Sequence, residues 1–135
     1  MPLDDAHIDY LTSHHHGRLA TVAPNGTPQN KPVGYHYNTR LGTIDIAGID
    51  MEHSAKYRNI AAHPNVAFVV DDAIGDGPDG MRFLEVRGPA EQAHEPAADP
   101  RLSTHLIRIH PRRVVSWNID PDSPGLHTHD LSGNQ

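Results

Sequence analysis

Within six positions of one another, Ser54, Lys56, Arg58 and Asn59 form the stretch with the most chemical content in this 135-residue chain. They fall where the apolar period turns helical, so Ser54 would stand at a helix start. There the free N–H groups carry partial positive charge, a serine can cap them or bond an oxygen, and Lys56 adds a full charge. That combination suits an anion such as a ligand phosphate. A solvated basic helix face would carry the same residues.

Other groupings read less well. Residues 75–80 match G-x-G-x-x-G after a strand, but a strand rather than a helix follows, and Asp76 and Asp79 would repel phosphate. The same loop fails as a calcium site, because Ile74 and Phe83 stand where oxygen ligands are required. Asn25-Gly26-Thr27 fits a glycosylation sequon, yet Asn-Gly is also a tight hairpin turn. His14-His15-His16 and the pair His127 and His129 could offer imidazoles to a metal or haem. Adjacent histidines on an extended chain point to alternate sides, however, and the pair lies in a polar tail, so no metal centre is expected. No G-x-S-x-G elbow presents a serine nucleophile.

The elements that must position these residues follow from the patterning. A short helix is expected over 3–13, with Asp4 and Asp5 at its N-terminus. A strand over 17–23 and the turn at Asn25-Gly26 lead into a second strand over 27–37. Its Pro28 and Pro32 cannot donate to a ladder, which places it at an edge or on a bulge. After a third strand at 43–47 comes the helix over 50–63, ended by Pro64, and then an apolar run at 66–70 that suits a buried central strand. A loop at 73–80, a long strand at 81–93, a connector at 95–99 and a last strand at 106–119, bulged at His110-Pro111, complete the reading. One domain over 1–119 is expected, followed by a polar tail over 120–135 that is mobile or lies on a partner.

Composition narrows the function classes. Eleven basic against seventeen acidic residues give a net charge of -6, opposed to binding a phosphate backbone, so no nucleic-acid partner is expected. Without cysteine there is no disulfide framework, thiolate metal site or cysteine nucleophile. No apolar run approaches the ~20 residues of a membrane span and the start is acidic, which reads as a soluble cytoplasmic protein with no membrane partner. Twelve prolines and eleven glycines favour short elements joined by turns, hence a mainly β fold with short helices, α+β in class.

Three segments carry a family resemblance: G-R-L-A-T-V-A-P-N-G-T-P-Q-N-K-P-V over 17–33, H-S-A-K-Y-R-N-I-A-A-H-P-N-V-A-F-V-V over 53–70, and I-H-P-R-R-V-V-S-W over 109–117. In these the chain resembles the pyridoxamine 5'-phosphate oxidase-like flavin and deazaflavin enzymes, and the closing segment looks like the branch that uses coenzyme F420. The resemblance implies an FMN-binding split β-barrel of about six antiparallel strands and a homodimer. It also implies an oxidoreductase that transfers a hydride between F420 and an activated double bond of a small organic substrate. The cofactor phosphate would be held by Ser54 and Lys56. Ala55 stands where FMN-binding relatives often have arginine, with Arg58 or Lys31 available to compensate. Asn59 belongs to the same cofactor-binding set. The ring would lie along the second strand against the backbone of Pro32, Val33 and Gly34, and Trp117 would line the cleft between subunits or fill the core. Tyr35, His36 and His53 lie near the expected cleft and could donate a proton, as could solvent, so no catalytic residue is assigned. An FMN-dependent oxidase or reductase, and a non-catalytic flavin or haem binder, are the alternatives.

Overall fold

A computed structural model describes residues 3–97 and 99–131. Two helices, α1 (Asp5–Thr12) and α2 (Ala55–Ala62), accompany nine strands: β1 (His16–Val22), β2 (Pro28–Gly34), β3 (His36–Asn38), β4 (Thr43–Ala47), β5 (Asn65–Ala73), β6 (Met81–His94), β7 (His105–Ile109), β8 (Arg113–Trp117) and β9 (Leu126–Asp130). All pairings are antiparallel. The chain is thus mainly β, a split barrel, with nine strands in place of the expected six.

Two of the extra strands arise at corners. The predicted second strand divides at Tyr35: β2 pairs with β1, whereas β3 pairs with β4. The predicted last strand divides at His110-Pro111-Arg112, where the partner register shifts by one residue between Ala90↔Ile109 and Arg87↔Arg113. That shift is the anticipated bulge, and it lets Pro111, which has no N–H, sit between the bonds from His110 N to Pro89 O and from Arg112 N to Arg87 O. Only glycine fits opposite, because a Cβ on Gly88 would lie 2.0 Å from the His110 carbonyl oxygen. Before the bulge β7 pairs with β4, and after it β8 pairs with β9. β6, 14 residues and about 46 Å long, is the spine that both halves share. Phe68, Leu84, Val86, Ile44, Ile107 and Val114 fill the space between them and are fully buried.

The ninth strand corrects the reading of the tail over 126–130, while residues 132–135 lie outside the described residues. Residues 126–130 are not free: β9 pairs with β8 from Arg113↔Asp130 to Trp117↔Leu126, and Arg113 and Asp130 form an ion pair. Little apolar periodicity marks this strand, because an edge strand over an existing sheet is held mainly by its ladder. Among the described residues no helix is long and apolar enough to cross a membrane.

Candidate functional site

The predicted helix over 50–63 is in fact two pieces, a single 3₁₀ turn at Met51–His53 and then α2, with Ser54 extended between them (φ -80°, ψ 152°). Ser54 Oγ accepts from Tyr57 N at 3.3 Å and donates to Met51 O at 2.7 Å, so the serine caps the helix as its position suggests. The N–H groups of Ala55 and Lys56, in the first turn, have no intrahelical acceptor. Lys56 is half-buried beside them, and exposed Arg58 donates to His53 O at 2.8 Å.

Asn59 ties this helix to the sheet. It is 3 % exposed, and its Nδ2 donates to Thr21 Oγ1 at 3.0 Å and to Gln29 Oε1 at 2.8 Å. Both amide hydrogens are thereby used, which makes Asn59 a positioning residue that locks α2 to β1 and β2. Lys31 stands opposite Leu19 and, two residues on from Gln29, shares the face that α2 covers. Pro32 and Gly34 project from the other face of β2, and Val33 is buried in the core, leaving only its backbone for a ligand.

Charge pairing separates these cations from the rest. Seven arginines lie within 4.0 Å of a carboxylate: Arg18, Arg40, Arg82, Arg87, Arg101, Arg108 and Arg113. The remaining four of the chain's eleven Lys and Arg are Lys31, Lys56, Arg58 and Arg112, without such a partner among the described residues. Three of the four are the residues singled out by sequence. The fourth, Arg112, was passed over although it stands in the closing I-H-P-R-R segment. With Arg87, Arg113, Ala20, Pro28 and Ala67 it lines a groove of about 530 Å³ on the opposite face of the sheet.

Trp117 stands apart. It lies on β8, half-buried, with Nε1 donating to Pro78 O at 3.0 Å. Between β2 and β8 the sheet inserts β1, β5 and β6, four strand spacings or about 19 Å. One chain does not bring Trp117 to the β2 residues.

The proton-donor candidates also part company. Tyr35 is half-buried against Phe68, ring centres 5.0 Å apart, and its hydroxyl donates to Leu11 O at 2.5 Å. Burial pushes that phenol up to about 12, so it holds its proton for the fold. His36 is exposed on β3. His53 is exposed immediately before Ser54, with Nδ1 2.7 Å from Asp50 Oδ1, and that hydrogen bond together with the Asp50 charge raises its pKa above the usual value. Asp50, Glu52 and His53 bring their ligand-type atoms within 4.8 Å of one another, a largely solvent-facing cluster. His14 is occupied elsewhere, with Nε2 2.9 Å from Asp72 Oδ2 and Nδ1 2.8 Å from Tyr10 O.

Comparison with known proteins agrees with this architecture. The chain is 41 % identical to the 5a,11a-dehydrotetracycline/5a,11a-dehydrooxytetracycline reductase of Streptomyces rimosus, over 98 % of this chain and 95 % of that one. In structure it is similar to a conserved hypothetical protein of Mycobacterium tuberculosis (TM-score 0.70, 25 % identity, 98 % and 93 % of the two chains). It shares the fold of a haem-binding protein of Mycobacterium smegmatis (TM-score 0.67, 15 % identity, 96 % of this chain and 60 % of that one). Residues 3–131 match pyridoxamine 5'-phosphate oxidase, and the chain belongs to that family.

Proposed function

We propose that this protein is an F420-dependent reductase that delivers a hydride to an activated carbon–carbon double bond of a small organic substrate, working as a homodimer. The observation that carries the reading is the 41 % identity, along nearly the full length of both chains, to a reductase whose name places its chemistry at a dehydro bond. The donor set agrees with an anionic cofactor: three cations without carboxylate partners among the described residues, Lys31, Lys56 and Arg58, stand on β2 and the first turns of α2, and Asn59 fixes those two elements to each other. Lys56 and the free N–H groups of the first turn would hold the phosphate, with Lys31 and Arg58 placed for charge further along an anionic tail.

Reduced F420, when bound, supplies the hydride to one carbon of the double bond; the other carbon needs a proton. His53, raised by Asp50 and one residue from the cap, holds a proton at Nδ1 or Nε2 near that end of the site. The edge position of β2 leaves the backbone of Pro32 and Gly34 exposed for a ring to lie against. Trp117 reaches such a ring only from a second copy, which is why the reading includes a dimer.

Titrating the purified protein with F420 and with FMN tests the reading, followed by assay of reduced F420 against a polycyclic substrate with a conjugated dehydro bond. Binding of F420 at least about tenfold tighter than FMN, with substrate-dependent oxidation of the reduced cofactor, is the expected result. Equal or tighter FMN binding would give the site to the FMN-dependent alternative.

A further inference from the structure

The region around β9 is not used by the reductase reading. His127 and His129 stand opposite Ser116 and Val114, both buried, so they lie on the inner side of the sheet and face α1. There they line a cavity of about 170 Å³ together with Asp4, His7, Asp120 and Ser123. His7 is 5 % exposed, and its Nδ1, fully enclosed, makes no hydrogen bond among the described residues. Native folds rarely leave a buried imidazole nitrogen without a partner.

We propose that Asp4, His7 and His129, with His127 closing the set, bind a divalent transition-metal ion of the zinc class. Two of the donors already stand at the spacing such an ion requires. Donor atoms about 2.0 to 2.1 Å from a tetrahedral centre are about 3.3 Å apart. His7 Nδ1 lies 3.3 Å from Asp4 Oδ1 without a hydrogen bond between them. Two imidazoles on one such ion have ring centres about 5 Å apart. The His7 and His129 rings are 5.7 Å apart, and those of His127 and His129 are 6.3 Å apart. Asp4, His7 and His129 do not yet bring their donor atoms within 4.8 Å of one another, as Asp50, Glu52 and His53 do, and the nearly parallel rings of His127 and His129 must turn before one ion can lie in the plane of both.

One further feature favours a cation. His127 Nε2 lies 2.9 Å from Ser123 O, a contact that places the ring hydrogen on Nε2 and the lone pair on Nδ1, as outer hydrogen bonds do for metal-bound histidines. With no cysteine in the chain, imidazole and carboxylate are the donors available, a set suited to zinc, nickel or copper. Bound there, the ion would fasten the C-terminal strand to the N-terminal helix.

The test uses the full chain, stripped with a chelator and titrated with zinc chloride by calorimetry, and with cobalt chloride for the visible absorption of a tetrahedral site. One zinc per chain, micromolar or tighter, with a rise in melting temperature, is expected. His129→Ala and Asp4→Asn should each weaken zinc binding by at least about tenfold, while His53→Ala leaves it unchanged. His129 is exposed, so its variant should fold even if His7→Ala does not. Absence of binding at 100-fold excess over micromolar, unchanged affinity in His129→Ala, or loss in His53→Ala, which would assign the ion to Asp50, Glu52 and His53, would each overturn the proposal.

Discussion

Two polar regions of this small barrel handle charge in opposite ways. On β4 and β7, Asp45 accepts from Arg108 Nε at 3.1 Å and Nη2 at 3.0 Å, from Asn38 at 3.0 Å and from Thr43 at 2.8 Å, and Arg108 also meets Glu95 at 3.1 Å. Every strong donor there faces an acceptor. At β2 and the start of α2, by contrast, Lys31, Lys56 and Arg58 have no carboxylate beside them among the described residues, and the buried Asn59 uses its hydrogens to join the two elements. Cations that hold a fold come with their counter-charges built in. Cations left without them, on a scaffold locked in place, are available to a ligand.

The comparison breaks most visibly at Arg108. Arg108→Ala would leave Asp45 buried without its cation, and a loss of about 3–5 kcal/mol in unfolding free energy is expected. Burial alone would push the Asp45 carboxyl up, but the hydrogen bonds from Arg108, Asn38 and Thr43 outweigh it and hold the pKa below the ordinary 3.8. A depressed carboxylate contributes stability above its unfolded pKa and loses it as pH falls through the folded one. The gap between wild type and variant, measured by urea unfolding, should therefore be full at neutral pH and narrow below about pH 4. An equal gap at pH 3 and pH 7 would mean that packing of the arginine stem, not its charge, is what matters.

Lys56→Ala should do the reverse. With no partner to orphan, stability should stay within about 0.5 kcal/mol, while affinity for F420 falls by about 1.5–3 kcal/mol, roughly one to two decades. Unchanged affinity in the folded variant would move the anion site elsewhere, with the groove at Arg112 the next place to look.

Ser54 stands between the two regimes, since its hydroxyl caps α2 and also lies at the helix end where the phosphate is proposed to bind. Ser54→Ala should cost about 1 kcal/mol in stability through the lost cap. Ser54→Asp separates the roles: aspartate caps as well as serine, but its charge opposes a phosphate. Wild-type melting with weakened F420 binding is expected for the aspartate variant. Wild-type affinity as well would confine Ser54 to capping.

Much of this organisation is legible in the chain because local chemistry fixes it. Ser54 marks the start of α2, Pro64 its end, and Asn25-Gly26 the first hairpin, where Gly26 has φ 89°. Pro28 and Pro32 place β2 at an edge, as found. Corners and pairings were harder. Nothing local tells that Tyr35 ends one ladder and His36 begins another, because the switch depends on which strand lies alongside. The sequence of β9, Leu-His-Thr-His-Asp, has too little apolar content to announce a strand, and only the open edge of β8 makes it one. The site divides in the same way. Residue type and spacing pick out Ser54, Lys56 and Arg58, whereas the use of Asn59 as a tie rather than a ligand depends on Thr21 and Gln29, far away in sequence.

The smallest expected effect concerns protons rather than affinity. His53 and Asp50 are about three-quarters and seven-tenths exposed, so their pair adds little to stability, and its value lies in keeping the imidazole charged. A histidine raised by a carboxylate is protonated below its pKa and loses the proton as pH rises through it. If His53 delivers the proton that completes reduction of the double bond, turnover at saturating cofactor should be full at low pH and fall through that raised value. Asp50→Asn removes the hydrogen bond to a carboxylate and the negative charge that raise the imidazole, so the break in the profile should move toward the unperturbed 6.5 while the plateau below it is kept. His53→Gln should abolish the break and leave a slower rate limited by protons from solvent. A break at the same pH in all three proteins would assign it to another group. A flat profile in wild type would mean that solvent supplies the proton and that His53, like Arg58 beside it, serves binding instead.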